Sequence, residues 1–548
     1  MLAGQQAVTL SRVERLRTHR ILGTVRARGY ALAVAAMTAG LGAFLLSRIE
    51  TWPPHEDETL VLFVSRQPLG DLFATVISER GGAPLHFLFA HAVATVSPGL
   101  SGLRLISIAF AVASVPVIAA LVSRLTDRRT ALVATALVAA SWMTIYHGLY
   151  GRMYGLFLFA SALSFLVLLY ALDDGRRRTW ALWAVAALAA IATQPYGALV
   201  VGVQAVYVAV RRLRQPFEVR PAAVAFACVV VLALPLWLTY RVLASRFEVG
   251  VSGEGNSKLG SPLDVLSYLG DTAGDFTVGW TVVTALIGLL ALAGLVTLFR
   301  TRPQAALLTV LVLVLPALAL MTVRSGSSLG LESRHLIFAL PFFALLVAVG
   351  LVRATALAGR GAPLLLGAAV VALVAGEIAW GWHKTPTLYA GENSLRTRAR
   401  EEASSWLAVT SRSDDVLLGY EPLYLDAANR GAPFGDVLVP RADPRLMLDT
   451  LEEADQPLGR GVWVFDATDE QDPDKRRFTI PARSPGDEFE ARAFGPFLVI
   501  RTKEPVRTPE RFVRLTIDVE LLGEQLQIGD AGLNLSTALN ALRRLEAP

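Results

Sequence analysis

Directly after the first long apolar run the chain reads Pro54-His55-Glu56-Asp57-Glu58, three consecutive acidic residues beside a histidine. Carboxylates at a membrane surface are costly to desolvate and add nothing to packing. Two adjacent ones can divide the work of acid–base chemistry: one takes a proton from a reacting hydroxyl as general base, the other holds that hydroxyl or an ion. Asp57 and Glu58 are the candidates, with His55 and Glu56 beside them as substrate contacts. The plainer alternative is a solvated loop that happens to be acidic. His86 and His91 bring further imidazoles, but five positions apart they share no helical face, so both read as interfacial histidines and not as metal ligands. Cys228 is the single cysteine, which excludes an intrachain disulfide and a thiolate metal cluster.

The elements that must position these residues are membrane helices. Of the 548 residues 53% are hydrophobic and only 18% charged, against about a quarter charged in soluble domains. Apolar runs long enough to cross a bilayer, about 20 residues each, lie at roughly 30–47, 104–123, 130–148, 154–172, 179–193, 197–210, 221–240, 277–299, 303–323, 336–352 and 363–382. The chain is therefore expected to be a polytopic α-helical membrane protein with about eleven spans. The run at 85–97 is too short to cross. The basic N-terminal tail, residues 1–28, enters the first run with no cleavage site, so an uncleaved first span is expected.

Basic loops decide the topology. If 85–97 does not cross, the tail and the loops at 124–129, 173–178, 211–220, 300–302 and 353–360 all fall on one side, the cytoplasmic one. Residues 85–97 then form an interfacial helix, and the outer face receives the first loop (49–103), the turns near Tyr150 and Gln194, the loops at 241–276 and 324–335, and the C-terminal part. The net charge of +5 comes largely from those topology-setting arginines and points to the bilayer, with no nucleic acid as partner. The loop at 241–276 mixes Gly-rich sequence with a possible helix at 262–269 and reads as a lid or as a disordered connector. Residues 384–548 have ordinary soluble composition, with helical stretches at 397–410 and 444–453 and strand-like runs at 415–418, 461–465 and 497–501, so a small α/β domain is expected there. No P-loop motif appears.

Several short motifs, taken in order, resemble the C-type fold (GT-C) of membrane glycosyltransferases, in particular the family 39 group of protein O-mannosyltransferases and lipid A aminoarabinose transferases. They are Asp57-Glu58 after the first span, Gly82-Ala83-Pro84-Leu85-His86-Phe87, Gly102-Leu103-Arg104-Leu105-Ile106-Ser107, a basic hairpin at 123–130, Gly151-Arg152-Met153-Tyr154, Thr193-Gln194-Pro195-Tyr196 and Ser333-Arg334-His335-Leu336. The likeness covers about residues 25–350. It implies that Asp57 is the general base activating an acceptor hydroxyl and that Glu58 holds the acceptor or the sugar. It also implies a donor built as a polyprenyl-phosphate-linked sugar and, as acceptor, a glycan, lipid or protein hydroxyl. Such a donor has an anionic leaving group, and an arginine fork fits phosphate oxygens. Arg152 and Arg334 are the candidates, with Lys258 as a further phosphate contact and Tyr154, Tyr196 and His335 as secondary substrate contacts. Each Arg could instead snorkel to the headgroups, and the aromatics could be interfacial belt.

Two departures from the family pattern bear on the acceptor. Tyr150 stands where many relatives carry an acid, and Gly82-Ala83 where the aminoarabinose transferases carry Glu-Lys. A second carboxylate is therefore missing from its usual place, and no cofactor or divalent cation is indicated; Glu56, Asp71 or Glu79 could substitute. The implied reading is transfer to an acceptor on the outer face of a bacterial inner membrane. A flippase of a lipid-linked substrate and a catalytically inactive scaffold stay open as alternatives.

Overall fold

The computed structural model describes residues 27–215, 217–248, 261–324, 332–435, 437–467, 479–528 and 531–546. Lys258 and the Gly-rich stretch read as a lid or a disordered connector lie outside them, as does the tail up to residue 26. The membrane part runs α1 (Ala27–Arg48), α2 (Glu56–Ser65), α3 (Leu69–Ala74), a π-turn (Thr75–Arg80), α4 (Pro84–Ala94), α5 (Leu100–Leu125), α6 (Arg128–Ala140), α7 (Trp142–Leu149) and α8 (Tyr154–Asp174). It continues through α9 (Arg177–Thr193), α10 (Gly197–Arg214), α11 (Val219–Glu248), α12 (Pro262–Phe276), α13 (Thr281–Thr301), α14 (Pro303–Arg324), a 3-10 turn (Ser333–Ala339), α15 (Leu340–Ala356) and α16 (Ala362–Lys384).

All eleven expected runs are helical. Among the described residues, eight helices are long and apolar enough to cross a membrane, and the bent pair α6–α7 makes a ninth if it counts as one span. The other two are α9, with 17 residues, and α10, whose last turn carries Arg211, Arg212 and Arg214. Helix α4 has 11 residues, roughly 16 Å at 1.5 Å per residue, and is too short to cross. Residues 241–248 extend α11 and 262–276 form α12, so the connection there is shorter than the sequence suggested. Arg241 and Arg246 break the apolar run without breaking the helix.

Lipid offers no hydrophobic drive for helix association, so close approach and buried polar contacts must supply it. Helices α13 and α15 meet at Gly294 and Gly350: a Cβ on the first would strike the Leu346 carbonyl oxygen, and on the second the Leu290 carbonyl oxygen. Trp183 Nε1 donates to Gln204 Oε1 at 2.8 Å and Gln204 Nε2 to Ser164 Oγ at 2.8 Å, tying α8, α9 and α10 together out of reach of water. The α6–α7 pair is bent by 52° at Ser141, whose ψ of 134° ends the first helix. That bend aims α7 at the first loop.

The C-terminal part contains α17 (Pro386–Ala390), α18 (Ser394–Thr410), β1 (Val416–Leu418), α19 (Pro422–Asn429), β2 (Leu438–Val439), α20 (Pro444–Glu453), β3 (Gly461–Asp466), β4 (Phe489–Phe494), β5 (Phe497–Thr502), α21 (Pro509–Gln525) and α22 (Ala531–Leu545). The strand order is β2-β1-β3-β5-β4, parallel at β2-β1-β3 and antiparallel at β3-β5-β4. Alternate residues of the central strands enter two separate cores. Trp463, Phe465, Leu498 and Ile500 pack with α20, α21 and α22, while Val462, Val464, Phe497 and Val499 pack with α18 and α19. A sheet covered on both faces needs nearly continuous apolar strands, which is how these runs read.

This packing gives a first prediction. Gly350→Leu would place a side chain into the α13 backbone and is expected to cost about 1–3 kcal/mol or more. Thermal unfolding in detergent should show a clear fall in Tm, with Gly367→Leu, at an open position, close to wild type.

Candidate active site

The site is assembled where α2 begins. His55 caps the helix: its Nδ1 accepts the Asp57 N–H at 3.1 Å, and Glu58 returns the bond to the His55 N–H at 3.1 Å. The three acids fill the first helical turn, where the helix dipole favours negative charge. Successive positions on that turn point in different directions, and the two central carboxylates accordingly have different surroundings.

Glu58 points inward and is fully buried. Arg104 of α5 grips it with a fork, Nε to Oε1 at 2.9 Å and Nη2 to Oε2 at 2.7 Å. The same guanidinium donates to the carbonyls of Ile49 (2.8 Å), Trp52 (2.8 Å) and Pro53 (3.0 Å). Glu58 Oε1 also accepts the Gly151 N–H at 2.8 Å. The end of α1, the start of α2, α5 and the turn at 150–152 therefore converge on one ion pair. Both Glu58 oxygens are thus held by protein donors, so this carboxylate ties the loop to the bundle.

Asp57 points the other way, into a cleft of about 250 Å³. Its Oδ2 accepts the Tyr150 hydroxyl at 2.7 Å, and Arg152 Nη1 stands 3.8 Å from Oδ1. Tyr150 is buried, lies 3.2 Å from His55 Nδ1 and meets the His55 ring edge-on at 5.3 Å. Burial and the neighbouring Asp57 carboxylate push its hydroxyl up, so it stays a donor. The position where an acid was missing thus supplies a hydrogen bond to the acid that is present. Burial raises the Asp57 carboxyl, but Arg152, His55 and Arg334, with the Tyr150 hydrogen bond, hold it well below the usual carboxylate range.

Arg152 makes only a 3.4 Å bond to the Asp57 carbonyl besides that approach, and its Nε has no partner among the described residues. Arg334, on the 3-10 turn, lies over the Tyr154 ring at 5.3 Å and pairs with Glu332. Tyr196 and His335 face each other at 4.7 Å, and neither lines the cleft. Asp71 and Glu79 are exposed and outside it. Glu56 does line it, with one oxygen paired to Arg441 and the other accepting the Tyr420 N–H at 3.2 Å. Among the described residues no group of three or more His, Cys, Asp or Glu is set to hold a metal ion.

Sequence reasoning missed the far wall of the cleft. Tyr420, Pro440, Arg441 and Ala442 come from the C-terminal part, where Tyr420 also bonds Thr59 and Arg80. These contacts span more than three hundred residues and leave no local signal. Arg104 did leave one, as a lone cation inside an apolar helix that must find a partner. The segment at 81–83 is left-handed throughout, with φ of 65°, 69° and 49° at Gly81, Gly82 and Ala83. Gly81 is required because a Cβ there would strike the Thr239 carbonyl oxygen of α11. Ala83 lines the cleft in a conformation that costs an alanine about 1–2 kcal/mol.

The bundle, its first loop between α1 and α5 and the appended C-terminal module make up a GT-C fold. Among solved structures the chain is similar to ArnT from Cupriavidus metallidurans bound to undecaprenyl phosphate, with TM-score 0.54 and 14% identity over 86% of this chain and 98% of that one. The apo state of the same protein gives TM-score 0.51 at 14% identity, over 87% of this chain and 98% of that one. A looser likeness, TM-score 0.48 at 10% identity over 78% and 67% of the two chains, is to the oligosaccharyltransferase of Archaeoglobus fulgidus. No family model and no curated protein matches the chain.

The ion pair yields the second prediction. Arg104→Met strands a buried carboxylate and is expected to cost about 3–5 kcal/mol. The Tm in detergent should drop steeply, and Arg104→Lys, which keeps the charge without the fork, should fall between.

Proposed function

We propose that this chain is a membrane glycosyltransferase that moves a monosaccharide from a polyprenyl-phosphate-linked donor to an acceptor hydroxyl, with Asp57 as general base. The observation that carries the reading is a carboxylate and the Arg152 guanidinium side by side at one cleft, with the Arg334 charge also acting on that carboxylate, in a GT-C fold whose helices are long and apolar enough to cross a membrane. The ArnT neighbour was solved with undecaprenyl phosphate bound, which supports a lipid-phosphate carrier. The positive-inside pattern supports a cytoplasmic N-terminus and a cleft and C-terminal domain (384–548) on the outer face of a bacterial plasma membrane. The acceptor is a glycan, lipid or protein hydroxyl.

Asp57 takes the proton of the acceptor hydroxyl as the acceptor oxygen attacks the anomeric carbon, and the bond to the phosphate oxygen breaks on the opposite face, inverting the configuration. Negative charge gathers on the departing polyprenyl phosphate, where Arg152 and Arg334 stabilise it. Glu58 acts through Arg104 and Gly151 by holding the turn that carries Asp57. Glu56 and Arg441 form the cleft wall toward the acceptor. The low basicity of Asp57 in the free site has a physical sense here. Before the donor arrives, both guanidinium charges act on the carboxylate; the donor phosphate neutralises them and makes Asp57 a stronger base only once substrate is bound.

Radiolabelled polyprenyl-phosphate sugars, given to purified protein in lipid with membrane extract as acceptor source, test this directly. Wild type should consume one donor, and Asp57→Asn should lose about 10²–10⁴-fold in kcat. Full activity in Asp57→Asn would remove Asp57 from the role. The pH profile is a further check. A carboxyl held below its ordinary value of about 3.9 keeps its base form above that pH and loses it only as pH falls through the lower folded value. The acid limb of kcat/KM should therefore lie below about pH 4, and that of kcat, which reports the substrate complex, at higher pH.

A further inference from the structure

His86 lies on α4 two residues after its first residue, Pro84, which immediately follows the left-handed segment 81–83. Its side chain is 1% exposed, yet it lines the same cleft as Asp57 and Arg152. Neither ring nitrogen has a well-formed hydrogen bond among the described residues. His91, by contrast, places Nδ1 2.9 Å from the Ser65 carbonyl oxygen and is satisfied within the protein. The ring approaches the Gly151 backbone without completing a well-formed bond to it; a buried imidazole left short of partners is costly and uncommon in native proteins, and in a cleft it marks where a ligand supplies the missing bonds.

We propose that His86 is a specificity-determining residue that hydrogen-bonds a ring hydroxyl of the monosaccharide entering the cleft, and so decides which sugar is transferred. The inference rests on the glycosyl-transfer reading above. The cleft volume of about 250 Å³ lies below the roughly 300–1,000 Å³ of sites for drug-sized ligands, which suits one sugar unit and not a chain. Burial first, and then the Arg152 charge, push the imidazole down to about 3, against a smaller opposing effect of the Gly151 backbone. The ring is therefore neutral near pH 7. A neutral imidazole offers one donor and one acceptor, the complement of a hydroxyl that both accepts and donates. A charged one would instead compete with Arg152 for the phosphate. The strained segment before α4, and the Gly81 contact with α11, fix where this ring stands.

The experiment compares wild type, His86→Phe and His86→Gln on the accepted polyprenyl-phosphate sugar and on the set of donors lacking one ring hydroxyl each. Wild type should disfavour one deoxy donor by about 10²-fold or more in kcat/KM, since a site built to bond a hydroxyl rejects the analogue without it. His86→Phe should lose activity on the full sugar but not on that deoxy donor, bringing the ratio to within about threefold. His86→Gln, which keeps one polar atom of each kind, should retain part of the discrimination and serves if the phenylalanine variant folds poorly. Wild-type discrimination in either variant, or a loss of Tm and yield with the selectivity of the folded fraction unchanged, would overturn the proposal and leave the glycosyl-transfer reading intact. Consumption of no donor by wild type would overturn both.

Discussion

The site depends on a single buried contact, the fork of Arg104 around Glu58. The guanidinium and carboxylate satisfy each other and then take up the carbonyls of 49, 52 and 53 and the N–H groups of 55 and 151. Those groups would otherwise be unpaired where the chain leaves one helix and enters another at the edge of the bilayer. A buried ion pair contributes little net stability unless its remaining bonds are also made, and here they are. What it provides is position: with Glu58 locked, the preceding residue has one direction left, and Asp57 meets Tyr150, Arg152 and the cleft.

The membrane imposes the rest. Helices that cannot associate through hydrophobicity approach at Gly294 and Gly350 and through the Trp183–Gln204–Ser164 chain. The rigid bundle then presents α5, the bent α6–α7 pair and α8 as the fixed floor of the site. The aromatic series Trp142, Tyr146, His147 and Tyr154, with adjacent ring centroids between 4.7 and 5.0 Å, fills the space beneath Tyr150. Above it the three-layered C-terminal module closes the cleft through Tyr420 and Arg441, so its sheet positions cleft-lining groups although no catalytic motif lies within it.

Much of this was legible in the sequence, for identifiable reasons. Apolar runs announce membrane helices because lipid leaves no other solution for the backbone, and all eleven runs proved helical. Strands β1, β3 and β5 were legible because a sheet covered on both faces needs continuous apolar residues. Strand β4, apolar only at its ends and exposed between, was not, nor were α21 and α22, whose amphipathic patterns resemble any soluble surface helix. At the site, residue type singled out the acidic run with Asp57, and the family resemblance added Arg152; the structure sets the two side by side. The grip of Arg104 on Glu58 was not legible, because that partner lies 46 residues away, and His86 read as an interfacial residue because spacing cannot show burial. Tyr420 and Arg441 needed the fold itself.

The central claim is that two adjacent carboxylates have separate tasks, Glu58 holding the loop and Asp57 reacting. The most direct test measures Tm and donor turnover on the same preparations of Asp57→Asn and Glu58→Gln. A crossed result is expected: Asp57→Asn stays folded while donor turnover falls about 10²–10⁴-fold, whereas Glu58→Gln loses stability by the several kcal/mol of a broken buried pair. A Glu58→Gln protein as stable as wild type yet inactive, alongside an active Asp57→Asn, would contradict it.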